Sequence, residues 1–176
     1  LSTEEIVRGL TAVVRNASFA PVMVAAGAAE IGVIPLMDAI VNLFPAPNQI
    51  PAVVAKGKDG DETLKASDSG PLAAYVWKTT ADPFVGKQTY FRVYSGVVNS
   101  DSRNWNQSKG IEERFGTMAF IRGKETFPTK VVHAGDLGIV PKLAETSTGN
   151  TLCDKTHPLT LPEPEYPGAL YRVSVN

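Results

Sequence analysis

The chain has 176 residues (18.8 kDa), 43% of them apolar and 20% charged, so it can bury a core and is no disordered tail. Seventeen basic against eighteen acidic side chains leave a net charge of −1, which excludes a basic nucleic-acid arm. The charge is unevenly placed: residues 1–70 carry 5 basic and 8 acidic side chains, residues 71–176 carry 12 and 10, which points to two units.

Ser2-Thr3-Glu4-Glu5 is a capping-box pattern, and Ile6, Leu10, Val13, Val14 and Ala17 follow at helical spacing. Pro21-Val22-Met23-Val24 reads as a short buried strand, and Ala25 to Gly32 as a loop of small residues. A second helix is expected from Pro35, with Leu36, Ala39, Ile40, Leu43 and Phe44 as its apolar stripe and Pro45 and Pro47 as its stop. Residues 1–47 thus read as an α/β remnant too small to fold alone as such a domain. Residues 48–70, with the polar run Lys56 to Glu62, read as a linker with little regular structure.

From Pro71 to Asn176 the pattern is β. Leu72–Lys78, Gln88–Val98, Thr117–Arg122, Val131–Leu143 and Ala169–Val175 are rich in β-branched and aromatic residues. In Gln88–Tyr94, Thr89, Phe91 and Val93 alternate with Tyr90, Arg92 and Tyr94, the pattern of a half-buried strand. Turn signals such as Ser95-Gly96, Lys109-Gly110 and Ala134-Gly135-Asp136 separate the runs. The expected architecture is mostly β, a closed antiparallel β-barrel over 71–176 that leaves no free edge strands.

The single cysteine, Cys153, forbids an internal disulfide and fits a reducing, cytoplasmic setting. No apolar run approaches the ~20 residues that span a bilayer. Leu1 stands where an initiator Met is absent, so the chain reads as a fragment. Asn16-Ala17-Ser18 and Asn106-Gln107-Ser108 match the glycosylation pattern and are read as chance.

Few residues are candidates for chemistry. Cys153-x3-His157, with His133, supplies fewer ligands than a tetrahedral structural metal site needs, and a packed thiol is the simpler reading. A Cys153–His157 nucleophilic dyad lacks an orienting third group. Glu112-Glu113 and Glu163/Glu165 are paired acids best read as solvated charge. No G-x-x-x-x-G-K-[ST] occurs, so the chain has no phosphate-cradling loop. No catalytic residue, metal ligand or cofactor is expected of the chain itself.

The run Thr80-Ala81-Asp82-Pro83-Phe84-Val85-Gly86-Lys87-Gln88-Thr89-Tyr90-Phe91-Arg92-Val93-Tyr94-Ser95-Gly96 closely resembles the start of the second domain of elongation factor G, the ribosomal translocation GTPase. His133-Ala134-Gly135-Asp136-Leu137-Gly138 and Thr146-Ser147-Thr148-Gly149-Asn150-Thr151-Leu152-Cys153-Asp154 resemble two later blocks of that family, in the same order and spacing. Pro21–Val24, Gly32–Ile40 and Leu43–Pro47 resemble the last strand, the last helix and the exit of its GTPase domain. The resemblance implies a β-barrel that packs on the GTPase domain and docks on small-subunit ribosomal RNA and protein, with a third domain to follow. GTP and Mg²⁺ would belong to the parent protein.

The guanine loop of these GTPases reads Ser-Ala-x-Lys, and here Ala26-Gly27-Ala28-Ala29 aligns with it. Gly27 keeps the backbone N–H that meets the guanine oxygen in the family. The hydroxyl and the lysine are gone, and a plain packing loop is the competing reading, so the resemblance extends to a divergent paralogue. Candidate phosphate contacts are Lys87, Arg92, Arg103, Lys109, Arg114, Arg122 and Lys124, with Trp105 as a stacking face. Ordinary solvated surface is the competing reading for each. Alternatives are a ribosomal-protection or termination-factor GTPase of the same superfamily, or a stand-alone barrel that binds RNA or an oligosaccharide.

Overall fold

The computed structural model describes residues 2–83, 86–165 and 167. The chain divides into two compact units, Leu1–Pro51 and Ala52–Asn176. No described helix is long and apolar enough to cross a membrane.

In the first unit, α1 (Thr3–Arg15) begins on the expected capping box. The Glu5 N–H donates to Ser2 Oγ at 3.2 Å, and the Ser2 N–H donates back to Glu5 Oε2 at 2.7 Å. α2 (Val33–Leu43) starts at Gly32, whose φ of 75° and whose approach to the Val24 carbonyl leave no room for a side chain. Among the described residues of this unit only Val14 is buried. The buried strand expected at Pro21–Val24 is not formed: no ladder includes it, and Val22 and Val24 are 90% and 94% exposed. A strand needs a neighbour for its N–H and C=O groups, and the described residues of this unit supply none.

The second unit is antiparallel throughout. Its hairpin, β1 (Val53–Lys56) with β2 (Asp61–Leu64), occupies the segment expected to be a linker. The Gly57–Gly60 turn hides this pairing in the sequence, where its polar residues read as a loop. An eight-stranded sheet follows, built from β3 (Ala73–Asp82), β4 (Gly86–Ser95), β6 (Arg103–Asn106), β7 (Ile111–Arg114), β8 (Met118–Arg122), β9 (Glu125–Thr129), β11 (Leu137–Pro141) and β12 (Thr151–Cys153). Its order is β7-β6-β12-β3-β4-β11-β8-β9. The short β5 (Val98–Asn99) and β10 (Val131–Val132) pair separately. The β-rich run Val131–Leu143 forms β10 and β11, divided at the expected Ala134-Gly135-Asp136 turn. The strand expected at 169–175 lies outside the described residues.

The sheet is not closed into the expected barrel. β7 and β9 are its ends, and no ladder among the described residues joins them. Closure needs a continuous staggered ladder. Here Asp101, in a left-handed conformation (φ 57°), separates β5 from β6, and the bonds on either side of it only extend the β6–β7 and β5–β10 pairings. The Phe115 N–H donates to the Ser102 carbonyl at 2.9 Å, and the Ser100 N–H to the Lys130 carbonyl at 2.8 Å. The alternation of charged and apolar residues that signals a barrel strand cannot distinguish a sealed sheet from a strongly curled one. The β9 edge carries Pro128, and β7 carries Glu112 and Arg114, features that discourage pairing with other chains.

The alternation in β4 is as expected: Thr89, Phe91, Val93 and Ser95 are buried, with Gln88, Tyr90, Arg92 and Tyr94 on the other face. Phe91 meets Phe115 edge-on at 5.8 Å in the main core, with Val76, Met118, Val132, Val140 and Leu152 around them. Gly138 in β11 lies under that ring; a Cβ there would sit 2.7 Å from Phe91 Cζ and 2.8 Å from Val132 Cγ2. On the outer face a second cluster joins Ala55 and Leu64 of the hairpin to Tyr75, Cys153, Leu159 and Leu161.

Candidate interaction surface

The groups that suggested catalysis hold the fold together. Cys153 is fully buried, and burial pushes its thiol up, against a hydrogen bond from the Leu159 backbone. His157 Nε2 lies 2.8 Å from Glu62 Oε2, and His133 Nδ1 lies 2.8 Å from Asp68 Oδ2. His157 therefore ties β2 to the turn after β12, and His133 ties Asp68 to the turn between β10 and β11. The Ala134 N–H, then His133, hold the Asp68 carboxyl below its usual range. Among the described residues no three His, Cys, Asp or Glu side chains converge as a metal site.

Glu112 and Glu113 part company. Glu112 pairs with Arg103 at 2.6 Å on the surface. Glu113, expected as solvated charge, is only 6% exposed. Its carboxylate accepts the N–H groups of Ala144 (3.2 Å), Glu145 (2.8 Å) and Thr146 (2.7 Å) and the Thr146 hydroxyl (2.9 Å). Burial raises its pKa, but these four donors together outweigh burial and hold it below the usual carboxylate range. Asn106 extends the network, donating to Thr146 Oγ1 at 2.9 Å and Asn150 Oδ1 at 3.1 Å. It is fully buried, so the Asn106-Gln107-Ser108 pattern is structural. Glu163 and Glu165 are exposed.

The aligned guanine loop is a short 3₁₀ turn, Gly27–Ala29. The Ala26 N–H is taken by the Ile31 carbonyl at 2.9 Å, while Gly27 is the first residue of the turn, where an N–H has no intrahelical partner. Residues 26–29 carry no side chain larger than a methyl group, so the backbone is all that this loop offers a ligand.

The seven candidate cations do not form one patch on one element. Lys87 Nζ donates to the Ala144 carbonyl at 3.1 Å. Arg103 is taken by Glu112, and Arg122 lies 5.0 Å from the Phe127 ring. Lys109, in the β6–β7 turn, Arg114 on the β7 edge and Lys124 in the β8–β9 turn are exposed. Trp105 is a poor stacking face: its indole N–H donates to Gln107 Oε1 at 2.9 Å, and the Lys155 ammonium lies 5.0 Å from its ring.

Arg92 belongs to a different surface, which the sequence reading missed. Trp77, the bulge residue between Val76 and Lys78 in β3, lies on the same face as Tyr75 and is 43% exposed. Trp77 packs on Tyr90 with ring centroids 5.4 Å apart, and the Arg92 guanidinium lies 5.6 Å from the Tyr94 ring. Leu137, directly across from Arg92 in β11, is 53% exposed. The period-2 pattern of β4 locates Tyr90, Arg92 and Tyr94 on the outer face. The same period in β3, Ala73–Tyr75–Trp77, places Trp77 on that face.

Residues 71–155 match the family of elongation factor G domain 2. The chain is also similar, over 93% of its length, to a crystal structure of a protein from Thermus thermophilus, with a TM-score of 0.64 and 26% identity. The chain spans about a fifth (21%) of the length of that structure's chain. The antiparallel sheet over residues 71–155, with the core that it encloses, is therefore a second domain of the elongation factor G family.

Proposed function

We propose that the chain is part of a ribosomal translocation GTPase of the elongation factor G type, in which the β unit docks on the small ribosomal subunit. The family match over residues 71–155 carries this reading. The first unit supports it. A unit with one buried residue and an unpaired extended stretch at Val22–Val24 is what remains of an α/β domain when the rest of its sheet lies elsewhere. In this reading residues 1–47 close the GTPase domain, and the β unit contributes contact rather than catalysis.

GTP and Mg²⁺ are assigned to the parent protein, since neither a phosphate-cradling loop nor the side chains of the guanine loop are present here. The exposed Lys109, Arg114 and Lys124 are the phosphate contacts of this proposal, and Lys87 and Arg103 are committed to the fold. The reading is tested by sedimentation with 30S subunits. The chain should pellet with them at low salt and be released as salt rises, and Lys109→Glu with Lys124→Glu should weaken binding and flatten the salt dependence by about one unit of slope per lost contact. Failure to pellet at 50 mM salt, on the order of the low-salt regime for such contacts, refutes docking by this unit.

A further inference from the structure

We infer that the uncovered part of the outer face, around Trp77, Arg92 and Leu137, binds an extended segment of a partner protein that combines apolar with acidic side chains. The same face is already covered over part of its area by extended polypeptide of this chain. Ala55 and Leu64 of the β1–β2 hairpin, with Leu159 and Leu161, lie on Tyr75 and Cys153, and Tyr94 packs against that cluster. Tyr94 and Tyr75 continue into the uncovered part, so the surface beyond the hairpin is of the kind that the hairpin seals.

Two adjacent hollows lie there. One, of about 310 Å³, is lined by Tyr75, Trp77, Arg92, Tyr94 and Leu137. The other, of about 250 Å³, shares Trp77 and Leu137 and is completed by Tyr90, Gly138 and the apolar Phe120, Ile121 and Ile139. Neighbouring hollows suit side chains i and i+2 of an extended segment, ~7 Å apart on one face. Trp, Tyr and Arg are the residues that carry most binding energy at protein interfaces.

Charge selects the partner. Arg92 is the sole ionised side chain among the residues lining the two hollows, and the Lys78 ammonium lies 5.6 Å from the Tyr90 ring beside them. Both are cations, so an acidic segment is complementary. Leu137, Ile139, Ile121 and Phe120 make one hollow largely apolar, and one arginine with one lysine is a sparse footing for a phosphate backbone, which favours a polypeptide over RNA.

The test is a selection of random ten-residue displayed peptides on the 176-residue chain, followed by fluorescence anisotropy of the recovered peptides. Recovered sequences should carry apolar residues two positions apart, with an Asp or Glu a further two positions along, on the same face of the extended segment. Leu137→Asp and Arg92→Glu should each weaken their binding at least tenfold. The urea midpoint of each variant, read by tryptophan fluorescence, separates loss of the surface from loss of the fold; should Leu137→Asp unfold, Arg92→Glu carries the test. Recovery of no binder, or binders indifferent to both substitutions, overturns the inference. So does a labelled oligouridine probe that binds the chain, is lost in Leu137→Asp, and competes off the peptides, because the face would then belong to RNA. Sedimentation with 30S subunits by Leu137→Asp should remain as in the parent chain, so failure of this inference and failure of ribosome docking are read separately.

Discussion

Removing the Glu113 carboxylate should loosen the loop that it clamps, and the two obvious substitutions should differ in degree. Glu113→Ala removes the acceptor for three backbone N–H groups and one hydroxyl. Ala144 and Glu145 are exposed enough for their N–H groups to turn to water, but Thr146 is fully buried. Stranding the two Thr146 donors and losing charge-assisted bonds to the others costs ~3–4 kcal/mol. Glu113→Gln keeps the shape. Its carbonyl oxygen can still receive Glu145 and both Thr146 donors, which share one oxygen, but its NH₂ then faces the Ala144 N–H, a cost of ~1–2 kcal/mol. With a urea slope of about 2 kcal/mol/M, the midpoint falls by roughly 1.5–2 M for Glu113→Ala and 0.5–1 M for Glu113→Gln. Both tryptophans, Trp77 and Trp105, lie in the β unit, so fluorescence reports its unfolding. The pH dependence has a definite sign. A carboxyl held below its usual range stabilises the fold fully above its unfolded pKa, about 4.3, and loses that contribution as pH falls through the lower folded value. The gap between the parent chain and Glu113→Gln should therefore be full at pH 7 and shrink below pH ~4. Other depressed carboxyls, those of Asp68 and Glu112, act equally in both proteins and cancel in the difference. Equal midpoints at pH 7, or a gap unchanged by acid, would refute the clamp.

Gly138→Ala should destabilise the β unit by ~1–3 kcal/mol through overpacking against Phe91 and Val132, and a urea midpoint within error of the parent chain would show that the core yields there. Cys153 should react with an aromatic disulfide reagent only as fast as the unit opens; rapid stoichiometric labelling of the native chain at pH 8 would contradict its burial. Amide exchange should be fast across residues 19–25, which lack backbone partners, and slow at Phe91 and Val93, and comparable protection of the two stretches would mean that the first unit is more ordered than its exposure indicates. Millimolar GTP with Mg²⁺ should leave the thermal midpoint unchanged, whereas a clear rise would show a nucleotide site within these residues.

Much of the β unit is legible from local pattern. The Thr89–Phe91–Val93 alternation sets the inner face of β4, and the glycines at the turns punctuate the strands, because side-chain period and turn geometry act over a few residues. The capping box at Ser2 and Glu5 is equally local. The hairpin at 53–64 escapes such a reading, since four-residue strands around a polar turn show too little periodicity, and its stability comes from Tyr75 and Leu159, remote in sequence.

Glu113 shows the same limit from the other side: next to Glu112 it is indistinguishable in sequence, and only the loop at 144–146, brought within hydrogen-bond reach by the sheet, turns one of the two acids into a buried clamp. By itself the sequence determined the alternation of β3 and β4, the likeness of residues 71–155 to the elongation factor G second domain and the absence of a phosphate-binding loop, all of which depend on neighbouring residues or ordered motifs. Tertiary structure alone decided that the sheet stays open between β7 and β9, that Val22 and Val24 lack a partner, and that Trp77 stands beside Arg92 and Leu137, because each depends on which distant backbone arrives alongside.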